Sequence, residues 1–162
     1  MLGYKGFKSD LTCRGFQYEI GKTYTMDPQD IKLCSNGFHF CQIPIDVLTY
    51  YDAEDNLYAV IKAEGNILHD EDKSVTNQLT ILHLVSKDEL MKATSGSFVR
   101  SSGLKEWYQN GLYHRLDGPA RECSNGDKEW YHSGLLHRLD GPSGEFVNGH
   151  NKWTLTSNLY RF

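Results

Sequence analysis

The sequence predicts an α+β N-terminal domain, residues 1–98, followed by a short antiparallel β-hairpin repeat array, residues 104–162. Three observations support this prediction. The last third of the chain repeats at a fixed period, glycines and aromatic residues are frequent, and helix-start signals interrupt the strand-like runs of the first part. We expect two unequal parts, because 162 residues bury little more than one ordinary core.

The repeat consists of two complete copies, 105–127 and 128–150, and a partial copy, 151–162. Trp107 and Trp130 stand at the same place in each complete copy, 23 residues apart. Each copy reads as a strand, a tight X-Gly turn, a returning strand and an Asp-Gly-Pro stop. Glycine supplies the positive φ of the turn, and proline cannot continue a strand ladder. One hairpin cannot bury its own tryptophan, so we expect neighbouring copies to stack and to bury Trp107 and Trp130 between them.

The pattern W-Y-x-(N/S)-G-x-x-H-R-x-D-G-P, over about residues 104–155, resembles MORN-type β-hairpin repeats of bacterial and viral proteins. The resemblance implies a stacked β-sheet that contacts a protein or a membrane surface. Strand alternation places Trp107 and Tyr108 on opposite faces, so inward tryptophans would turn Tyr108 and Tyr131 outward. Interface hot spots are rich in aromatic and arginine side chains. The predicted binding residues recur at matched offsets: Tyr108, Tyr113, His114, Arg115, Tyr131, His137 and Arg138.

The first part alternates strand-like runs with two helix starts. Pro44 opens one predicted helix, and the S-x-x-E capping box from Ser86 to Glu89 opens the other. Alternation and aromatic or β-branched content predict strands at Gly3–Phe7, Phe16–Tyr24, Gly37–Cys41, Leu57–Glu64 and Leu79–Val85. A Gly/Ser-rich linker is expected around residues 94–103.

The segments GYKGFKSDLTCRGFQYEIGKTY and LCSNGFHFCQIPIDVLTYY resemble an uncharacterised domain of bacteriophage and some bacterial proteins, over about residues 3–92. This resemblance implies a phage accessory protein of the host cell cytoplasm. We expect a non-catalytic binding module or an inhibitor of a host protein, for example one of a defence system. The expected partner is a host protein, with a homodimer as the alternative.

Two enzyme-like or ligand-binding alternatives stay open. The strand G-F-H-F-C before the helix at Pro44 resembles a step of ADP-ribosyltransferases, which would make NAD the ligand; Lys5 stands where an Arg or His would bind it, and Glu64 is the strand carboxylate. A protein that binds a small nucleotide signal is the other alternative.

The recurrence of His-Arg-x-Asp in both repeats favours a structural role over catalysis, because a set of catalytic residues is needed only once. No catalytic residue is therefore assigned.

A metal site is a further interpretation of the cysteines and histidine in the first part. His39 and Cys41 share one strand face, with Cys34 and Cys13 as further soft ligands, but C-x4-H-x-C is not a zinc knuckle. Core packing of these cysteines is the commoner meaning, so we predict no metal and no cofactor.

Charge and hydropathy argue against two classes of partner, nucleic acids and membranes. Residues 1–98 carry 9 Lys and Arg against 14 Asp and Glu, so the chain lacks the basic stripe that nucleic-acid binding uses. No apolar run approaches the length that spans a bilayer, and no secretion signal is visible. We accordingly expect a cytoplasmic protein with reduced cysteines and no membrane or nucleic-acid partner.

Overall fold

The structure, a computed structural model, describes residues 1–154. The chain divides into two compact units, Met1–Ala93 and Thr94–Phe162, which we call the N-terminal unit and the C-terminal unit. Most of the predicted partial third repeat, residues 155–162, lies outside the described residues. Within the described residues, no helix is long and apolar enough to cross a membrane.

The N-terminal unit is a mostly antiparallel β-structure with two short helices. Its elements, in chain order, are β1 (Leu2–Phe7), β2 (Thr12–Cys13), β3 (Phe16–Gln17), β4 (Thr23–Thr25), β5 (Phe38–Phe40), the 3-10 helix Pro44–Thr49, β6 (Leu57–His69), β7 (Ser74–Val85) and α1 (Lys87–Ala93). The main sheet has the order β1-β6-β7-β4, and β5 also pairs with β7. Strands β2 and β3 form a separate hairpin.

The core of this unit consists of two clusters of buried side chains, a larger one that includes the residues below and a smaller one of Cys41, Val47, Tyr58 and Leu90. Phe7, Ile61, Leu79 and Ile81 are fully buried, and each such side chain contributes about 1.5–3 kcal/mol through its removal from water. Aromatic rings complete the core where β1 lacks side chains. A Cβ at Gly6 would lie 2.4 Å from the Tyr51 ring, so glycine at this position lets that ring pack flat against the strand.

Three local predictions can be compared with these elements. The single strand predicted over Phe16–Tyr24 is wrong: the chain breaks into β3 and β4 because Gly21 adopts a φ of 81° and turns the backbone. The capping box is confirmed, since the Ser86 amide and hydroxyl both donate to Glu89. The segment from Pro44 forms a 3-10 helix. With so little helix, the fold is mostly antiparallel β, and an α+β class is not confirmed.

The C-terminal unit repeats its strands at the period of its sequence. Its elements are β8 (Gly96–Val99), β9 (Lys105–Gln109), β10 (Leu112–Tyr113), β11 (Arg121–Glu122), β12 (Lys128–Glu129), β13 (Tyr131–His132), β14 (Leu135–Leu136) and β15 (Gly144–Glu145). Strands β9 and β10 form one hairpin, and β13 and β14 form its counterpart 23 residues later. The sheet order is β10-β9-β11-β12-β15, and β8, from the segment predicted as a linker, pairs with β9.

Candidate functional site

Tyr108, predicted as an outward-facing binding residue, instead lies in the interior of the C-terminal unit. Tyr108 is only 7% exposed, so its predicted outward orientation is wrong. Its ring stacks on Tyr113 at 4.6 Å between centroids, and Tyr113 lies 5.2 Å from the half-buried Tyr131. Tyr113 Oη donates to Glu106 at 2.6 Å. Burial raises the pKa of Tyr113 strongly, with the Glu106 carboxylate adding to the effect, so this hydroxyl stays a donor.

The two recurring arginines cover the tryptophans. The guanidinium of Arg115 lies 4.0 Å from the Trp107 ring centroid, and that of Arg138 lies 3.9 Å from Trp130. Arg115 also donates to Asp117, Glu122 and the Pro119 carbonyl, all within its own repeat, and Arg138 makes the matching contacts. Trp107 and Trp130 are therefore half-buried under arginines. The prediction that they are buried between neighbouring copies is wrong.

The histidines of the repeats form a short row. His114 lies 4.7 Å from His132 between ring centroids, and His132 lies 6.3 Å from His137. His114 Nδ1 accepts the Ser133 amide at 3.1 Å, and burial lowers the pKa of His114, with the charge of His132 adding to it. The side chains of Tyr113, Arg115 and Arg138 thus bond mainly within their own copies, and His114 bonds to the next copy.

A cavity of different chemistry lies in the N-terminal unit. Its volume is about 380 Å³, within the range of small-ligand sites. None of the side chains that line it is acidic, although the unit as a whole is acidic. The lining residues combine cations, thiols and aromatic rings: Tyr4, Lys5, Gly6, Cys13, Arg14, Cys34, His39, Phe40, Cys41, Val47, Tyr50, Tyr51 and Lys73.

Lys5 is the buried cation of this cavity. It is 4% exposed and lies on β1, on the same face as the core residue Phe7. Its Nζ donates to the His39 carbonyl at 2.8 Å and to Cys13 Sγ at 3.4 Å, and it lies 5.2 Å from the Tyr18 ring centroid. Burial lowers the pKa of Lys5. Among the described residues, no carboxylate bonds to the Lys5 ammonium, so an incoming anion would supply its counter-charge.

Arg14 supplies a second cation from a strained turn. It has a φ of 52° and precedes Gly15, with a φ of 79°, in the β2–β3 hairpin. The two repeat hairpins use the same turn, with Asn110 and Ser133 in the place of Arg14. Asparagine tolerates a positive φ far better than arginine does, so the turn geometry does not favour arginine there. Strain of this kind is typical of functional positions.

We expect Arg14→Asn to raise the free energy of unfolding by about 1 kcal/mol, because asparagine relieves the left-handed strain. The reciprocal change, Asn110→Arg, should lower it by a similar amount. Urea unfolding of both variants and of the wild type checks this pair. Destabilisation by Arg14→Asn as large as that by Asn110→Arg would show that Arg14 is a structural residue.

The third cation and the tyrosines close the cavity on another side. Lys73 Nζ lies 5.4 Å from the Tyr50 ring centroid and 3.5 Å from its hydroxyl. Tyr50 donates to Asp72, and burial followed by this bond raises the pKa of Tyr50 to about 12. Tyr51 donates to Cys13 Sγ at 2.9 Å. Both hydroxyls are therefore fixed donors at neutral pH.

The residues weighed as metal ligands all line this one cavity. Cys13 and Cys41 are buried, Cys34 is exposed and His39 is half-buried. Among the described residues, however, no group of three or more His, Cys, Asp or Glu could hold a metal ion. His39 Nδ1 lies 3.1 Å from the Gly37 carbonyl, whereas its buried Nε2 has no hydrogen-bond partner in the part of the chain that the structure describes. Burial lowers the pKa of His39, and the charges of Lys5 and Arg14 lower it further.

Sequence reasoning found part of this site. It identified Lys5 through the NAD hypothesis and His39 through the metal hypothesis, but it missed Arg14, Lys73 and the tyrosines. The Arg-Gly pair between two short β-runs was the usable signal for Arg14, because a two-residue turn there requires a positive φ.

Comparison with known protein families gives one match. A family model described as "Domain of unknown function (DUF7666)" matches residues 1–93, which include every residue of the cavity. No curated protein and no solved structure matches the chain.

Proposed function

We propose that the N-terminal unit of this chain, which belongs to the DUF7666 family, is a non-catalytic binding domain for a small phosphate-bearing anion. The observation that carries the proposal is the convergence of Lys5, Arg14 and Lys73 on one cavity without an acidic lining residue. Cationic side chains and hydroxyl donors are the groups that bind phosphate oxygens in proteins. The three cations supply these donors here, because the hydroxyl protons of Tyr50 and Tyr51 are already donated to Asp72 and to Cys13 Sγ.

A binding role fits this cavity better than ADP-ribosyl transfer. Transfer chemistry needs a carboxylate beside the ribose, and Glu64, the candidate from the sequence, is not among the lining residues. Glu64 instead pairs with Lys62 at 2.7 Å on β6. The cavity therefore offers groups that hold an anion and none that we assign to catalysis.

The test is calorimetric titration of the full chain with pyrophosphate. We expect the wild type to bind, and Arg14→Gln and Lys73→Gln each to weaken binding at least tenfold. Lys8→Gln removes an exposed cation of the same unit that does not line the cavity, so it should stay within twofold of the wild type. Equal weakening by Lys8→Gln would show that pyrophosphate is attracted by the charge of the unit in general and not by this cavity. Absence of binding by the wild type would refute the proposal.

Anion binding should be coupled to protonation of His39. Because burial and the neighbouring cations lower the pKa of His39 in the free protein, a bound anion raises it, and affinity increases as pH falls between the two values. We expect sulfate, whose charge is constant in this range, to bind at least threefold more tightly at pH 5.5 than at pH 7.5. His39→Gln should weaken this pH dependence, because Lys5 is then the remaining group at the site whose pKa burial lowers. An unchanged sulfate affinity across these pH values in the wild type would contradict the coupling.

We also propose a second role, for the C-terminal unit, as a MORN-like surface that binds a host protein in a phage-encoded inhibitor. The observation that favours it is a set of exposed leucines at the repeat period. Leu116 is 80% exposed and Leu139, one period later, is 76% exposed. Leu112 and Leu135 form a second exposed pair at the same offset. Apolar side chains repeated along one unit are typical of protein interaction surfaces.

The second role is tested with the full chain as bait in a bacterial lysate. One stoichiometric protein should be retained by the wild type and by Leu82→Ser, which changes an exposed leucine of the other unit. The double variant Leu116→Ser with Leu139→Ser should lose it. Light scattering of the same proteins separates a host partner from a homodimer. Unchanged retention by the double variant would exclude this surface.

A further inference from the structure

A second cavity adjoins the cationic one within the N-terminal unit. Its volume is about 500 Å³. The two cavities share four lining residues, Lys5, Cys13, Arg14 and His39, so they form two parts of one cleft with the cations at the junction. A ligand that reaches the cations with an anionic group can therefore extend its other end into the second cavity.

The second cavity is lined with a rigid aromatic cluster. Phe16 packs edge-on against Tyr18 at 4.8 Å, Tyr24 at 5.3 Å and Phe38 at 6.2 Å between ring centroids. The other three rings are buried, whereas Phe16 is 45% exposed. Phe16 thus presents a fixed, accessible ring on which a planar group can stack. Nucleobases stack on accessible aromatic rings of this kind in proteins that bind single-stranded nucleic acids.

Polar side chains also line this cavity. Thr25, Ser35 and Asn36 are exposed and line it beside the aromatic cluster. Hydroxyl and amide groups can donate to and accept from the ring nitrogens and exocyclic groups of a base. The cavity contains no carboxylate, so its chemistry matches a neutral heterocycle better than a cationic group.

We propose that the ligand of this cleft is a nucleotide, with its phosphate at Lys5 and Arg14 and its base against Phe16. This inference rests on the proposed anion site and adds the chemical class of the ligand. A sugar phosphate or inorganic phosphate would engage the cations alone and leave the aromatic cavity unused. A nucleotide engages both cavities and should bind more tightly than either of its parts.

The experiment measures binding of the full chain to AMP, GMP, CMP and UMP, with ribose 5-phosphate and inorganic phosphate as ligands that lack the base. We expect at least one nucleotide to bind tenfold or more tightly than ribose 5-phosphate. Phe16→Leu keeps apolar volume and removes the ring, so it should abolish that preference while ribose 5-phosphate affinity stays within threefold. Leu82→Ala, an exposed apolar control outside both cavities, should leave the preference intact.

The outcomes separate the two proposals. If the nucleotides and ribose 5-phosphate bind with equal affinity to the wild type, the nucleotide inference is overturned and the anion site stands. If Phe16→Leu keeps both its melting temperature and the nucleotide preference, stacking on Phe16 is excluded and the inference fails. If neither the nucleotides nor the two simpler phosphates bind, the anion site itself fails, and the nucleotide inference fails with it.

Discussion

Replacing Glu106 by alanine is expected to lower the free energy of unfolding by about 3–5 kcal/mol, because it removes a buried carboxylate that pairs with a buried arginine. Glu106 on β9 is only 1% exposed. Its carboxylate accepts Arg100 Nε at 2.6 Å and Tyr113 Oη at 2.6 Å, and Arg121 Nε lies 3.5 Å away. The Arg100 side chain is itself buried, so Glu106→Ala takes a counter-charge away from a cation that has little contact with water.

The control for this effect is Asp117→Ala. Asp117 accepts Arg115 at 2.9 Å but is largely exposed, and exposed ion pairs contribute about 0–1 kcal/mol. Chemical unfolding of both variants, followed by tyrosine and tryptophan fluorescence, gives the comparison. A loss below about 1 kcal/mol for Glu106→Ala would show that the Arg100, Arg121 and Tyr113 contacts do not organise the C-terminal unit.

Replacing Lys5 by methionine is expected to lower pyrophosphate affinity by at least thirtyfold with little loss of stability. Methionine has a similar length and fills the same space, and burial of a charge without a counter-charge is costly, so its removal offsets the lost hydrogen bond. We expect the free energy of unfolding at pH 7 to change by no more than about 1 kcal/mol. Unimpaired pyrophosphate binding by a folded Lys5→Met protein would remove Lys5 from the site.

The stability of the wild type should also show the linkage of Lys5. Since burial lowers its pKa in the folded state, the unfolded chain binds more protons between that value and the ordinary lysine value of about 10.4. Stability contributed by this group therefore rises with pH across that window. The Lys5→Met protein should lack this rise when its unfolding is measured from pH 7 to pH 9.

The sequence predicted local features better than it predicted which face of a strand is buried. The capping box at Ser86 and the X-Gly hairpin turns depend on a few adjacent residues, and the structure confirms them. The predicted outward face of Tyr108 depended on an assumption that the largest apolar ring, Trp107, faces inward. Alternation separates the two residues but does not say which one is covered, and Arg115 covers Trp107 from the other face.

The candidate site could be predicted only in part from the sequence, because part of it depends on contacts between distant segments of the chain. Lys5 lies two residues before the core residue Phe7, so alternation alone places it on the buried face of β1. Lys73 and Tyr50 come from distant parts of the chain, and only the pairing of β5 and β7 brings their segments beside the β2–β3 turn. Spacing along one sequence cannot show that three cations converge, because the convergence depends on non-local strand pairing.

The most direct test of the anion site is a titration of the isotope-labelled full chain with pyrophosphate, followed by amide nitrogen–proton correlation spectra. Our account predicts saturable shifts that concentrate on the residues around Lys5, Arg14, His39 and Lys73, with residues 94–154 essentially unchanged. Saturable shifts confined to residues 94–154, or no saturable shifts at millimolar pyrophosphate, would contradict it.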